Sequence, residues 1–129
     1  MPRKFDVFKI TTVFRKISLV SNVETLLIDE IEHRGFYKLR FTLIPSKFKL
    51  DIKYIDTEEY FLYSYQLYTD KAIARWDNEP HYPDLNNYPH HFHYKDNIGA
   101  SQLSGNSMQD VRKVCSFVKG MIENISMTP

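Results

Sequence analysis

Two stretches near the middle of the chain alternate strictly between apolar and polar residues. Tyr37, Leu39, Phe41 and Leu43 are interleaved with Lys38, Arg40 and Thr42, and Phe48, Leu50, Ile52 and Tyr54 with Lys49, Asp51 and Lys53. A period of two with one polar face predicts antiparallel strands over a core, joined by a turn at Pro45-Ser46-Lys47. Glu58 and Glu59 mark the next turn, and Tyr60 to Tyr68, aromatic on both faces, is expected to be the more central strand. Asp70-Lys71 then turns the chain into Ala72 to Asp77. Upstream, Val23 to Ile31 has mixed alternation and reads as a long strand, bounded by a break at Ser21-Asn22 and a turn at Gly35.

The two ends of the chain have a different period. Val7, Ile10, Val13, Phe14 and Ile17 share one face at helical spacing, with Phe5 and Phe8 off it. Met108, Val111, Val114, Cys115, Val118, Met121, Ile122 and Ile125 keep a 3, 4 spacing after the linker Ser104-Gly105-Asn106. Ser107 is the expected N-cap there, with Asp110 in capping-box position. Two shorter pieces, His90 to Tyr94 and Ile98 to Leu103, read as a strand and an irregular extension. The predicted class is α+β: one domain, residues 1–129, with a meander of five to six antiparallel strands and both terminal helices on one face of the sheet.

Composition narrows the function classes. The 129 residues include 43% hydrophobic and 26% charged residues, ample for a buried core, and the net charge of +1 leaves any polyanion binding to a local patch. Cys115 is the single cysteine, so no disulfide framework or cysteine metal cluster is expected, and its place on the apolar helix stripe marks it as a buried small hydrophobe. No signal peptide or membrane span is visible, and the expected compartment is the cytoplasm.

One stretch is strongly biased. Arg75 to Tyr94 holds four of the five histidines, three of the six prolines and the only tryptophan. Pro80, Pro83 and Pro89 exclude a helix or a central strand between the flanking elements, so a structured loop is expected. On a strand, His91 and His93 point to one side and His90 to the other. His91 and His93, with His81 and with Asp77 or Asp84 nearby, form a candidate set for a divalent metal such as zinc. The same groups serve a metal-free alternative that needs no cofactor, cleavage of an RNA phosphodiester at its own 2′-hydroxyl: His91 and His93 as acid and base, Arg75 for the developing charge, Asp77 to orient a histidine. Asn78, His81, His90, Lys38, Arg40, Trp76 and Tyr82 are the candidate substrate-binding residues, the aromatics by stacking on unpaired bases. A structural reading stands beside both: prolines stiffening a loop, Trp76 in the core, Asp77-Asn78 closing an Asx-turn, or a loop that binds a partner protein.

Arg75-Trp76-Asp77-Asn78, Pro80-His81, Pro89-His90-His91 and His93, in this order and spacing, resemble the signature of the TumE family, toxins of toxin–antitoxin pairs. The resemblance implies growth inhibition relieved by a cognate antitoxin. It carries over to Arg75, Asp77, Asn78, His81, His90, His91 and His93. Tyr82 and Phe92 stand where the family pattern has a histidine and a basic residue. A homodimer through a free sheet edge is compatible with the fold class.

Overall fold

The computed structural model describes residues 7–16, 20–43 and 47–127. In chain order the elements are α1 (Val7–Arg15), β1 (Val20–Ile31), β2 (Arg34–Leu43), β3 (Lys49–Asp56), β4 (Phe61–Tyr68), β5 (Ala72–Asp77), β6 (His91–Tyr94), β7 (Asn97–Ala100) and α2 (Ser107–Met127). All seven strands form one antiparallel sheet in sequential order, β1 through β7, with β4, the expected central strand, in the middle. The count exceeds the expected five to six because Asn97–Ala100, read as an irregular extension, pairs with the expected strand His91–Tyr94 as a seventh strand. The two-residue turn between them, Lys95-Asp96, has both residues at positive φ, 51° and 63°. That backbone matches strand twist, but its usual sequence signal is Asn-Gly, which is absent here.

Burial shows why the sheet has two unlike faces. β2 and β3 bury every second residue, and Tyr63, Tyr65 and Leu67 continue the same face on β4. Both helices cover that face. Phe14 of α1 stacks on Phe41 with centroids 4.1 Å apart, and Phe117 of α2 meets Trp76 edge-on at 5.2 Å. Val111, Val114, Cys115, Val118 and Ile122 are the buried stripe of α2, as the spacing predicts. Burial pushes the Cys115 thiol up to about 12, which leaves it inert at neutral pH. Under α2 the Tyr54 and Tyr65 hydroxyls share a 2.7 Å hydrogen bond, and desolvation raises both far above a normal phenol. Among the described residues, no helix lies on the opposite face of the sheet.

Several local expectations shift. The Ser21-Asn22 break lies inside β1 as a register irregularity between Val20 and Asn22; a second one between Thr25 and Leu27 explains the mixed alternation. Gly35 is the second residue of β2 rather than a turn, since Glu32-His33 makes the turn. Glycine is needed at 35 because a Cβ there would collide with the Tyr37 ring. The N-cap of α2 is Asn106, whose side-chain oxygen accepts from Gln109 N–H at 3.1 Å, instead of Ser107. Asp110 reaches past the helix start and accepts from the backbone N–H groups of Ser104 and Gly105 at 2.9 and 2.8 Å. The turn expected at Pro45-Ser46 and the helix end at Ile17 lie outside the described residues.

Asp96 pays a left-handed backbone cost that glycine escapes. Asp96→Gly is expected to raise unfolding stability by about 0.5–1 kcal/mol, read from the urea midpoint at unchanged slope. A fall in the midpoint would contradict the turn.

Candidate functional site

The open face is built from the alternate residues that point away from the helices. Pairing aligns them into two transverse rows. Lys38, Lys53, Ser64, Asp77 and His91 lie opposite one another from β2 to β6, and Arg40, Asp51, Gln66, Arg75 and His93 form the neighbouring row. The β5–β6 register therefore places Asp77 against His91 and Arg75 against His93. Backbone pairing alone brings together residues fourteen and eighteen positions apart.

Asp77 is the centre of this group and is 4% exposed. Its Oδ2 accepts from Arg75 Nε at 2.9 Å, and its Oδ1 lies 2.9 Å from His91 Nε2 and accepts from Glu79 N–H at 3.1 Å. The last contact is the expected Asx-turn. His93 Nε2 lies 3.7 Å from Oδ2. His91 is 2% exposed, and its Nδ1 donates to the Pro89 carbonyl at 3.0 Å. A carbonyl and a carboxylate are both pure acceptors, so the His91 ring has an acceptor at each nitrogen.

The proline-rich loop, residues 78–90, delivers the remaining rings. Asn78 anchors its start: the carboxamide accepts from Tyr63 N–H at 2.9 Å and donates to Phe61 C=O at 2.7 Å, extending the β4–β5 ladder by a side chain. Asn87, at φ 66°, anchors its end by donating to the Ser101 and Leu103 carbonyls at 2.8 and 2.7 Å. The Tyr88-Pro89 bond is cis. Between the anchors, Tyr82 lies edge-on to His91 and His93, at 4.9 and 6.1 Å between centroids. His81 is 6.4 Å from the His91 ring, mostly exposed, and within 3.3 Å of Glu79. His91 and His93 are themselves 4.9 Å apart.

The other candidates separate from this group. His90 points to the helix side as expected, its Nδ1 at 2.6 Å from the Tyr63 hydroxyl and its ring stacked on Tyr63. Trp76 is on the core face, stacked on Phe92 at 4.7 Å, so neither ring is presented to a base on the open face. The amide of Asn78 is used by the fold. Arg40 is engaged by Asp51 in a two-pronged pair at 2.9 and 3.0 Å, which Tyr68 joins through a 3.0 Å hydrogen bond to the same carboxylate. Lys38 stays on the open face, in the row of Asp77 and His91. Glu79, the partner of His81, was missed by the sequence reading; its place between Asn78 and Pro80 was the available signal.

Electrostatics divide the imidazoles. Partial burial lowers the affinity of His93 for its proton, the positive neighbours His91 and Arg75 lower it further, and Asp77 opposes them. His90 is lowered chiefly by burial. His93 is thus held toward its neutral, proton-accepting form in a position one-third exposed.

A family model described as toxin TumE matches residues 11–125, from α1 through all seven strands and most of α2. The chain belongs to the TumE family. It is therefore the toxin component of a toxin–antitoxin pair, and TumE membership implies an antitoxin partner. Neither a curated protein nor a solved structure gave a match. Among the described residues of this TumE chain, no helix is long and apolar enough to cross a membrane.

The His93 ring should titrate below its ordinary midpoint of 6.5, and Arg75→Gln should move it upward, both followed by NMR of the ring protons. Because the unfolded chain then holds its proton more tightly than the fold does, stability should rise with pH in the interval just below 6.5 and level off above it. A His93 midpoint at or above 6.5 would overturn the electrostatic picture.

Proposed function

We propose that this TumE-family toxin acts on RNA, and that the Asp77-centred cluster on the open sheet face is where it does so. The observation that carries this reading is the convergence of His93, His91 and Arg75 on one buried carboxylate, facing a sheet surface lined with cations. An RNA strand cleaved at its own 2′-hydroxyl needs a base for that hydroxyl, stabilisation of charge on phosphorus, and a proton for the leaving oxygen. His93, neutral and partly exposed, is the base. The Arg75 guanidinium, oriented by Asp77, faces the phosphate. His91 is too deeply buried to touch substrate, so it takes a positioning role, holding Asp77 in place; this moves it away from the acid–base pairing expected from spacing alone. The exposed His81 on the same cluster is the group placed to return the proton, and Tyr82 offers a ring for stacking.

A metal-bound reading has one observation in its favour. Asp77, His91 and His93 each offer a ligand atom within 4.8 Å of the others, and the bond from His91 Nδ1 to Pro89 would leave Nε2 free to ligate. Arg75 argues against it, because its guanidinium already neutralises the carboxylate that a divalent ion would need. His81 lies outside this trio.

Inducing His93→Ala in a sensitive host should abolish growth arrest, and the purified variant should lose about 10²–10⁴-fold in RNA cleavage with an unchanged thermal transition. Full toxicity would exclude the role of His93. Intact RNA during arrest by the unaltered toxin would exclude RNA as the target while keeping the toxin assignment. Elemental analysis of active protein separates the two chemistries, since stoichiometric metal would favour the second.

A further inference from the structure

The two transverse rows on the open face treat charge differently. In the row of Arg40, Asp51, Gln66, Arg75 and His93, each arginine has a carboxylate partner: Arg40 pairs with Asp51 and Arg75 with Asp77. In the row ending at Asp77 and His91, Lys38 faces Lys53 directly across the β2–β3 pair. Their outer neighbours are Leu27 on β1 and Ser64 on β4, neither of them acidic. Among the described residues neither lysine has an ion pair or hydrogen bond. Like charges set opposite each other on a sheet face are unfavourable unless something between them carries the opposite sign.

We infer that Lys38 and Lys53 form a two-pronged phosphate site that grips the nucleic-acid chain beside the Asp77 cluster. Side chains directly opposite in an antiparallel pair stand about 5 Å apart at Cβ, so two lysine arms converge on one tetrahedral anion. The Ser64 hydroxyl, next in the row, supplies a further hydrogen bond. Lys53, Ser64, Arg75 and Glu79 line one shallow depression, which links this site to the cluster. Three strand spacings separate Lys53 from His91, about 14 Å. A strand laid across the sheet thus places one phosphate at Arg75 and His93 and an upstream or downstream phosphate on the lysine pair. This extends the RNA reading, and the anion site can be tested apart from cleavage.

The test uses the full chain, inorganic phosphate, and a short single-stranded oligonucleotide with 2′-O-methyl riboses, which cannot be cleaved. Binding is followed by fluorescence anisotropy over a salt series, and stability by thermal unfolding with and without phosphate. Lys53→Thr is expected to weaken oligonucleotide binding several-fold, to reduce the salt slope by about one, and to remove most of the phosphate-dependent rise in Tm. Its Tm without phosphate should equal or exceed that of the unaltered protein, because a like-charge contact is gone. Lys49→Thr, on the same face of β3 but outside the row, is the control. Equal losses from both variants would reduce the pair to general basicity and overturn the site. Unchanged binding in Lys53→Thr, with cleavage intact, would overturn it while leaving the RNA reading standing. Lys53-dependent stabilisation by phosphate with no oligonucleotide binding would support the anion site and remove RNA as its occupant.

Discussion

The site depends on one buried carboxylate. Asp77 is taken out of water at the end of β5 and is compensated there by Arg75 from its own strand, by the Glu79 backbone from the loop, and by His91 from the adjoining strand. Removing a charge from water is costly unless it is paired and fully hydrogen-bonded. Each partner thus has a reason to hold its geometry, and His93 inherits a fixed position beside them. The same positive neighbours that satisfy Asp77 weaken the hold of His93 on its proton. Structural satisfaction and chemical poise come from one arrangement.

The sheet makes that arrangement possible by keeping its two jobs on separate faces. Aromatic packing against α1 and α2 occupies one face, with Trp76, Phe92 and Phe117 in mutual contact at the β5–β6 end. The other face then carries the Asp77 cluster at strand registers that the core fixes, since a slip by one residue would bury the polar set and expose the apolar one. The proline-rich loop is held at both ends by asparagine carboxamides bonded to backbone, at Asn78 and Asn87. That lets His81 and Tyr82 sit over the strand histidines without regular structure of their own. On the opposite margin of the sheet, β1 leaves Leu27, Ile28 and Ile31 about half exposed.

Much of this was legible in the chain because alternation and helical spacing report burial directly. β2, β3 and the buried stripe of α2 follow from those periods, and so does the split of His90 from His91 and His93. What escaped depended on three-dimensional pairing. The β6–β7 hairpin was hidden because Lys95-Asp96 adopts a backbone that its residue types do not advertise, and the irregular register of β1 blurred its period. Residue types placed Trp76 among base-stacking candidates, but strand parity sends it to the core with Phe92. They also made His91 and His93 equivalent; only the Pro89 carbonyl and the Asp77 carboxylate, closing on opposite sides of one ring, distinguish the buried histidine from the partly exposed one. The pairing of Lys38 with Lys53 was likewise invisible without the register.

The most direct test is the nitrogen-15 spectrum of the His91 ring in metal-free protein at neutral pH. The predicted result is an Nδ1 held by the Pro89 carbonyl and an Nε2 signal that Asp77→Asn changes. An Nε2 signal that Asp77→Asn leaves unchanged would contradict the contact on which the site depends.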